Sequence, residues 1–318
     1  GSHRPVLSLA QAFAAAEALD DELYGAVAGA LSRRGARLDE GAGRGAVRPE
    51  GEGDVGDLLA PCEPGDLQEP CVLGRWPDVC VLWKPAGWTV TVNADDGAAT
   101  PTAGEDDPED GASPEVVGAR RLQDWVASKL GAVSTVASDA GAQHGIVHRL
   151  DHNTSGLVTC ATSYRGYYLA QLQFTARRVQ KEYLALCHGH LPAGRRRLEA
   201  PLRSERQPDG SSLTSIDPSG QRARTEICGV VHLVSPEGLA VSLVEVRIHT
   251  GRQHQIRAHL AGEGHPLVGD ATYGGRTSSW CQRSFLHAHH LSLDIGDGPV
   301  DARCPLPGDL SAALGALS

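Results

Sequence analysis

Apolar residues recur along the chain with two periods. Leu23, Ala26, Val27, Ala30 and Leu31 follow the i, i+3, i+4, i+7, i+8 spacing of one buried helix face. Asp20 and Asp21 suit a helix start, Arg33 and Arg34 a last turn and Gly35 a stop, so residues 5–35 read as two helices. Val79-Cys80-Val81-Leu82-Trp83 is an apolar run of strand length, ended by Lys84-Pro85-Ala86-Gly87. Ser113-Pro114-Glu115 starts a helix with apolar face Leu122, Trp125, Val126 and Leu130, stopped at Gly131. Another helix covers 164–176. From Gly145 an extended apolar run ends on charge at Asp151. Tyr183, Ala185 and Cys187 share one face of a strand, as do Val244, Val246 and Ile248. A short helix follows around 254–261, and Leu291, Leu293 and Ile295 mark a late strand. Alternating strands with a few helices predict an α+β fold with a mixed, mostly antiparallel sheet. No solenoid repeat is present.

Residues 39–70 and 93–114 break the pattern. Both are rich in Gly, Asp, Glu and Pro, and they read as a linker and an acidic insertion that bury little apolar surface. The remaining composition is that of a globular chain: 318 residues, 41% hydrophobic, mean hydropathy −0.24. No apolar run is long enough to suggest a membrane span. Gly1-Ser2-His3 reads as a tag remnant, and the absence of Met leaves the natural start and any targeting segment open. The eight cysteines form no C-x-x-C pair, which predicts reduced core thiols in an intracellular protein, in the cytoplasm or in a mitochondrion or plastid.

Charge is unevenly placed. The net charge is −10, but residues 1–145 carry −13 and residues 146–318 carry +3, with +6 concentrated in 146–206. A local basic excess is what phosphate contacts require, although it more often describes a solvated face. Arg195-Arg196-Arg197 reads as a solvated loop that could meet phosphate.

Three polar clusters sit at strand ends: His148-Arg149-Leu150-Asp151 with Thr154-Ser155-Gly156-Leu157, then Lys181-Glu182-Tyr183, then 250–260 from Thr250-Gly251-Arg252 to Leu260. No P-loop, H-E-x-x-H motif or serine triad order appears. Gly269-Asp270 is too short to mean anything alone. These clusters resemble the RluA family of RNA pseudouridine synthases. H-R-L-D-H-N-T-S-G-L at 148–157 is similar to the family's catalytic motif, and K-P-A-G at 84–87 to its early strand-end motif. K-E-Y-L-A-L-C-H-G at 181–189 is similar to its tyrosine motif. T-G-R-Q-H-Q-I-R-A-H-L at 250–260, with G-H-P-L-V-G-D at 264–270 and Y-G at 273–274, is similar to its third motif. The likeness runs from about 72 to 307; the N-terminal 70 residues and the acidic insertion depart from it.

The resemblance implies the pseudouridine synthase fold and isomerisation of specific uridines in ribosomal or transfer RNA, with no cofactor and no metal. It implies Asp151 as the essential aspartate, Tyr183 as the ring stacked on the target base, and Arg257 as the cation beside Asp151, with Arg252 the alternative. Arg149 is expected to help extrude the nucleotide, since reaching a stacked base costs a few kcal/mol of unstacking. Leu150 and Ile256 are expected to line a dry wall, and Lys181 to contact substrate. Lys84 and Pro85 are expected to shape the turn under the site. His254, His265 and His287 receive structural roles rather than metal-binding ones. The expected division is a tag remnant at 1–3, a helical extension and linker at 4–70, a catalytic domain at 71–310 containing the 93–114 insertion, and a tail at 311–318. A monomer with RNA as partner and no membrane is expected. A binding or ribosome-assembly factor that keeps the fold is the second reading. It has no need of the Asp151, Tyr183 and Arg257 set. A metal-dependent hydrolase lacks a ligand pattern.

Overall fold

The computed structural model describes residues 19–43, 68–90, 120–194, 196–208 and 211–318. Helix α1 spans Asp21–Gly43, and strands β1 (Cys71–Arg75), β2 (Val79–Lys84), β3 (Trp88–Thr89) and β4 (Arg120–Arg121) follow. Next come α2 (Leu122–Leu130), β5 (Ser155–Ala161), α3 (Tyr164–Thr175), β6 (Gln180–His188) and β7 (Arg196–Leu198). The chain continues through β8 (Leu202–Arg206), β9 (Ser212–Ile216), β10 (Thr225–Val234), β11 (Ala240–Ile248) and α4 (Gln255–Gly262). It closes with β12 (Leu286–Asp294), β13 (Pro299–Arg303) and α5 (Gly308–Gly315).

A nine-stranded sheet runs in the order β1-β2-β5-β12-β6-β11-β10-β7, with β13 beside β12. Every pairing in it is antiparallel except β12 with β5, so the predicted mixed, mostly antiparallel sheet is what forms. Strand alternation sorts the side chains into two cores. Tyr183, Ala185 and Cys187 join Val244, Val246 and Ile248 against α2 and against Ile256 and Leu260 of α4. A second core gathers Trp83, Leu157, Leu291, Leu293 and Ile295 with Tyr167, Tyr168 and Leu172 of α3 and Leu31 of α1. All six residues of β2 are buried. A strand covered on both faces needs no polar alternation, which is why it reads as one apolar run.

The structure corrects several sequence expectations. Helix α1 does not stop at Gly35 but continues to Gly43. A Cβ at residue 35 would lie 2.3 Å from the Cα of Arg165, so this glycine serves close approach of α1 to α3 rather than termination. The continuation has a use: Asp39 accepts the backbone N–H groups of Tyr164 (2.8 Å) and Arg165 (3.2 Å). Those are first-turn donors of α3 that its own helix cannot satisfy. Residues 39–43 are therefore helix, not linker. The first of the two predicted N-terminal helices, residues 44–67 of the linker, the 93–114 insertion and the Ser113-Pro114 helix start all lie outside the described residues. Immediately before α2, Arg120 and Arg121 are extended and pair with Trp88 and Thr89. Arg196 and Arg197 belong to edge strand β7, opposite Ile227 and Glu226, instead of a loop; Arg195 lies outside the described residues.

Residues 311–318, expected as a tail, are part of the fold. Leu310 and Ala313 of α5 are buried with Leu186, Val241 and Phe285. Val234 and Ser318 exchange two backbone hydrogen bonds of 2.8 and 3.1 Å. Among the described residues Cys80, Cys160, Cys187, Cys281 and Cys304 are buried thiols, but Cys71 is disulfide-bonded, contrary to the expectation of reduced thiols throughout. Among the described residues, no helix is long and apolar enough to cross a membrane.

The contact between α1 and α3 gives a stability prediction. Asp39→Ala should cost about 1 kcal/mol, the usual value of a lost helix-terminal acceptor, read as a lower urea midpoint at unchanged slope. Gly35→Val should cost more, because the Cβ meets backbone rather than a yielding side chain.

Candidate active site

The loop that carries Asp151 is anchored from two sides. Lys84, at the end of β2, is fully buried, and its Nζ donates to the carbonyls of Pro85 (3.0 Å), Trp88 (2.8 Å) and His152 (3.1 Å). An ammonium has three protons, and burying it is tolerable only when they are all bonded. The His152 carbonyl also accepts from the Gly87 N–H (2.9 Å). On the other side, Arg283 donates to the carbonyl of Asn153 (2.9 Å) and to Ser155 Oγ (3.1 Å). The expected turn-shaping role of Lys84 thus takes a concrete form: two of its bonds hold the turn after β2, and the third ties that turn to the His152 carbonyl.

His148 braces the approach to this loop. Its Nε2 accepts the N–H of Thr159 (2.9 Å), and its ring stacks on Phe174 at 4.5 Å. Burial, helped by the charge of Lys181, brings its pKa down to about 3, so it is a neutral acceptor. Lys181 Nζ lies 5.6 Å from the centre of the same Phe174 ring. Arg149 is half-buried beside it in sequence, and Leu150 is buried.

Strand β11 leads into α4 through a turn built on Gln255. That side chain accepts from Thr250 Oγ1 (2.6 Å) and donates to the Arg224 carbonyl (3.0 Å) and to Thr225 Oγ1 (2.9 Å). His254 takes a left-handed conformation (φ 50°), which lets α4 start abruptly and directs Arg257 inward. Arg257 is buried. Its Nε and Nη2 donate to the two oxygens of Asp270 at 2.7 and 3.0 Å, while Nη1 stands 3.5 Å from Asp151 Oδ2. The guanidinium also lies 4.9 Å from the centre of the Tyr273 ring. Asp151 keeps 17% of its side chain exposed, whereas Asp270 keeps none, so only Asp151 is open to a reactant.

Tyr183 is buried on β6. Burial first, and then the negative charge of Asp151, push its phenol well above the ordinary tyrosine range. It therefore meets the site as a neutral hydroxyl on an aromatic ring. Arg257 faces Asp151, whose charge also bears on Tyr183, and Leu150 and Ile256 share one apolar core with Tyr183. Of the two candidate arginines, Arg257 makes the ion pair with Asp151; Arg252 Nε reaches the Arg222 carbonyl instead (3.3 Å).

The sequence reading missed Asp270 and Tyr273 as parts of the site. Both lie within the third motif and its continuation, but a Gly-Asp pair is too short to mean anything alone, and nothing in it indicates a partner. Tyr273 accepts the N–H of Thr214 (3.0 Å) and hydrogen-bonds His254 Nδ1 (3.0 Å), and burial pushes its phenol up to about 12. His254, His265 and His287 bond Tyr273, the His188 carbonyl and Ser155 Oγ respectively. Among the described residues, one trio with metal-ligand atoms lies within 4.8 Å: Glu182, Glu245 and His289. Glu182 projects from the opposite side of β6 to Tyr183 and is already held by Arg247 Nε (3.0 Å), His290 (2.7 Å) and Gln180 (2.9 Å).

Comparison with known proteins adds to this geometry. The profile of the RNA pseudouridylate synthase family matches residues 78–262. An uncharacterised RNA pseudouridine synthase of Chloroflexus aurantiacus is 40% identical over 176 residues, 54% of this chain and 52% of that protein. Ribosomal large subunit pseudouridine synthase D of Zymomonas mobilis is 34% identical over 180 residues, 53% of this chain and 55% of that one. The alignments thus span about half the length of these curated relatives. The human RNA pseudouridylate synthase domain containing 1 structure has the same fold, with TM-score 0.54 and 24% identity over 77% of this chain and 86% of that one.

The site's buried histidines make stability pH-dependent. His287 is fully buried, and its pKa is brought down to about 4 by burial. An unfolded chain takes up this proton below about 6.5 while the folded one does not, so stability falls as pH drops. The loss should reach about 2 kcal/mol by pH 5 from this one group. Urea unfolding at pH 7 and pH 5 measures it, and His287→Asn should flatten the difference.

Proposed function

The chain belongs to the RNA pseudouridylate synthase family, in the RluA group whose motifs it carries, and from that premise we propose that it isomerises specific uridines in structured ribosomal or transfer RNA. The observation that carries the proposal is that the buried Arg257 stands 3.5 Å from a partly exposed Asp151 carboxylate, whose charge also bears on the Tyr183 phenol.

The reaction breaks the N1–C1′ bond, turns the base and joins C5 to C1′. Nothing is added and no redox change occurs, so side chains alone suffice. Asp151 supplies a carboxylate able to act as nucleophile or base toward the nucleoside. Arg257 holds positive charge next to it without closing over it, since one guanidinium nitrogen faces Asp151 at 3.5 Å while two face Asp270. Tyr183 offers a flat face to uracil, a contact worth about 1–3 kcal/mol. Its neutral hydroxyl is suited to relaying the C5 proton. Arg149, on the half-buried segment leading to Asp151, fills in this reading the stack that the extruded nucleotide leaves. Leu150 and Ile256 keep the wall behind Asp151 apolar. In this reading the catalytic unit is residues 71–310 braced by α1, the protein acts as a monomer, and neither metal nor cofactor takes part.

A pure RNA-binding role would leave the Asp151–Arg257–Asp270 arrangement without a task, which disfavours it. Asp151→Asn should bind RNA as the wild type does and form no pseudouridine, measured by mapping modified positions in cellular RNA with and without the protein and by single turnover in vitro. Product from purified Asp151→Asn protein overturns the assigned role. Tyr183→Phe keeps the ring and loses the hydroxyl, so affinity should hold while the single-turnover rate falls by about 100-fold, the usual scale of a lost proton-transfer group.

A further inference from the structure

Asp270 is closed off from solvent, and its carboxylate faces Arg257 alone among the described residues. It is fully buried, and both oxygens are spent on Arg257. Its backbone is fixed as firmly. The Leu267–Val268 segment is tied to β6 through a bridge between Cys187 and Leu267 and through the Val268 N–H on the Leu186 carbonyl (2.9 Å). Gly269 turns with φ +78°, and a Cβ there would sit 2.2 Å from the Arg283 carbonyl oxygen. The Gly275 N–H then closes back onto the Asp270 carbonyl (2.8 Å). Asp270 is therefore a rigid acceptor fixed to the strand that carries Tyr183, and Arg257 is aimed from it.

From this geometry we infer that Asp270 is a positioning residue that sets how much of Arg257 reaches Asp151. The inference rests on the proposed reading of Asp151 as the reacting carboxylate. A guanidinium offers a carboxylate a two-pronged fork, and left alone with Asp151 it would close on it in that way. Asp270 occupies the fork. Asp151 is left with the single contact at 3.5 Å, longer than a formed hydrogen bond, and its oxygens remain available. One positive group is thus divided between two carboxylates, one buried and saturated, the other partly open. Tyr273, 4.9 Å from the guanidinium and fixed by Thr214 and His254, keeps Arg257 from swinging the other way.

Asp270→Asn preserves size but replaces one acceptor with an N–H donor facing Arg257. The guanidinium should then turn its fork to Asp151 and occupy the oxygen that reacts. The test is single-turnover pseudouridine formation at saturating RNA, RNA affinity by filter binding, and crystal structures of the wild type and Asp270→Asn. The expected result is a rate about 100-fold lower, the scale of a misplaced catalytic group, with affinity within about threefold and Arg257 closed on Asp151. Asp270→Glu restores the carboxylate and should recover about tenfold of that loss. An Asp270→Asn rate within about threefold of wild type overturns the inference, as does an affinity loss equal to the rate loss with Arg257 unmoved. If Asp270→Asn does not fold, Asp270→Glu decides: a lowered rate at unchanged affinity supports the role, and an unchanged rate overturns it. If the wild type itself forms no pseudouridine, the functional reading fails separately, and an Arg257 unmoved in the Asp270→Asn structure still overturns the positioning role.

Discussion

A buried guanidinium must have its charge and its N–H groups answered, because unpaired charge in a protein interior costs several kcal/mol. Among the described residues two carboxylates face Arg257, and they come from segments far apart in the chain: the loop before β5 and the turn after residue 268. Satisfying one cation therefore fixes the relation between three regions of the fold. The fork to Asp270 takes Nε and Nη2, and Nη1 faces Asp151 at a longer distance. A site built this way can hold a partly exposed carboxylate loosely while the cation beside it stays paired.

The same economy governs Lys84. Its three protons go to three carbonyls, and one of these belongs to the residue after Asp151. The loop is held by backbone contacts and leaves the Asp151 side chain unconstrained. On the opposite side of β6, Glu182 is gripped by Arg247 and His290, which fixes the strand without touching the face that presents Tyr183.

The sequence revealed what local pattern determines. Period-2 alternation on β6 and β11 predicted which residues share a face, and Tyr183, Ala185 and Cys187 do lie in one core. Motif resemblance located Asp151, Tyr183 and Arg257 before any geometry was known. Roles set by contacts distant in sequence stayed hidden. Gly35 looks like a helix stop because glycine often is one, yet it answers to the backbone of Arg165, which no local window contains. Asp270 has no periodic neighbours, and its meaning comes from a guanidinium on a different element. Residues 311–318 look like a tail until the core that α5 covers is known.

The strand order carries a consequence for how the molecule comes into being. Strand β5 follows directly from the Asp151 loop and β6 carries Tyr183, yet they are not neighbours, because β12 lies between them. The strand that sets their separation is made more than a hundred residues after Asp151. During synthesis every side chain of these motifs is made before Leu286–Asp294 exists to space them. Such non-local pairing folds slowly. A nascent chain would thus carry the motif residues with their spacing unset, and the Asp151 loop and Tyr183 would take their relative places only when one late strand enters the middle of the sheet.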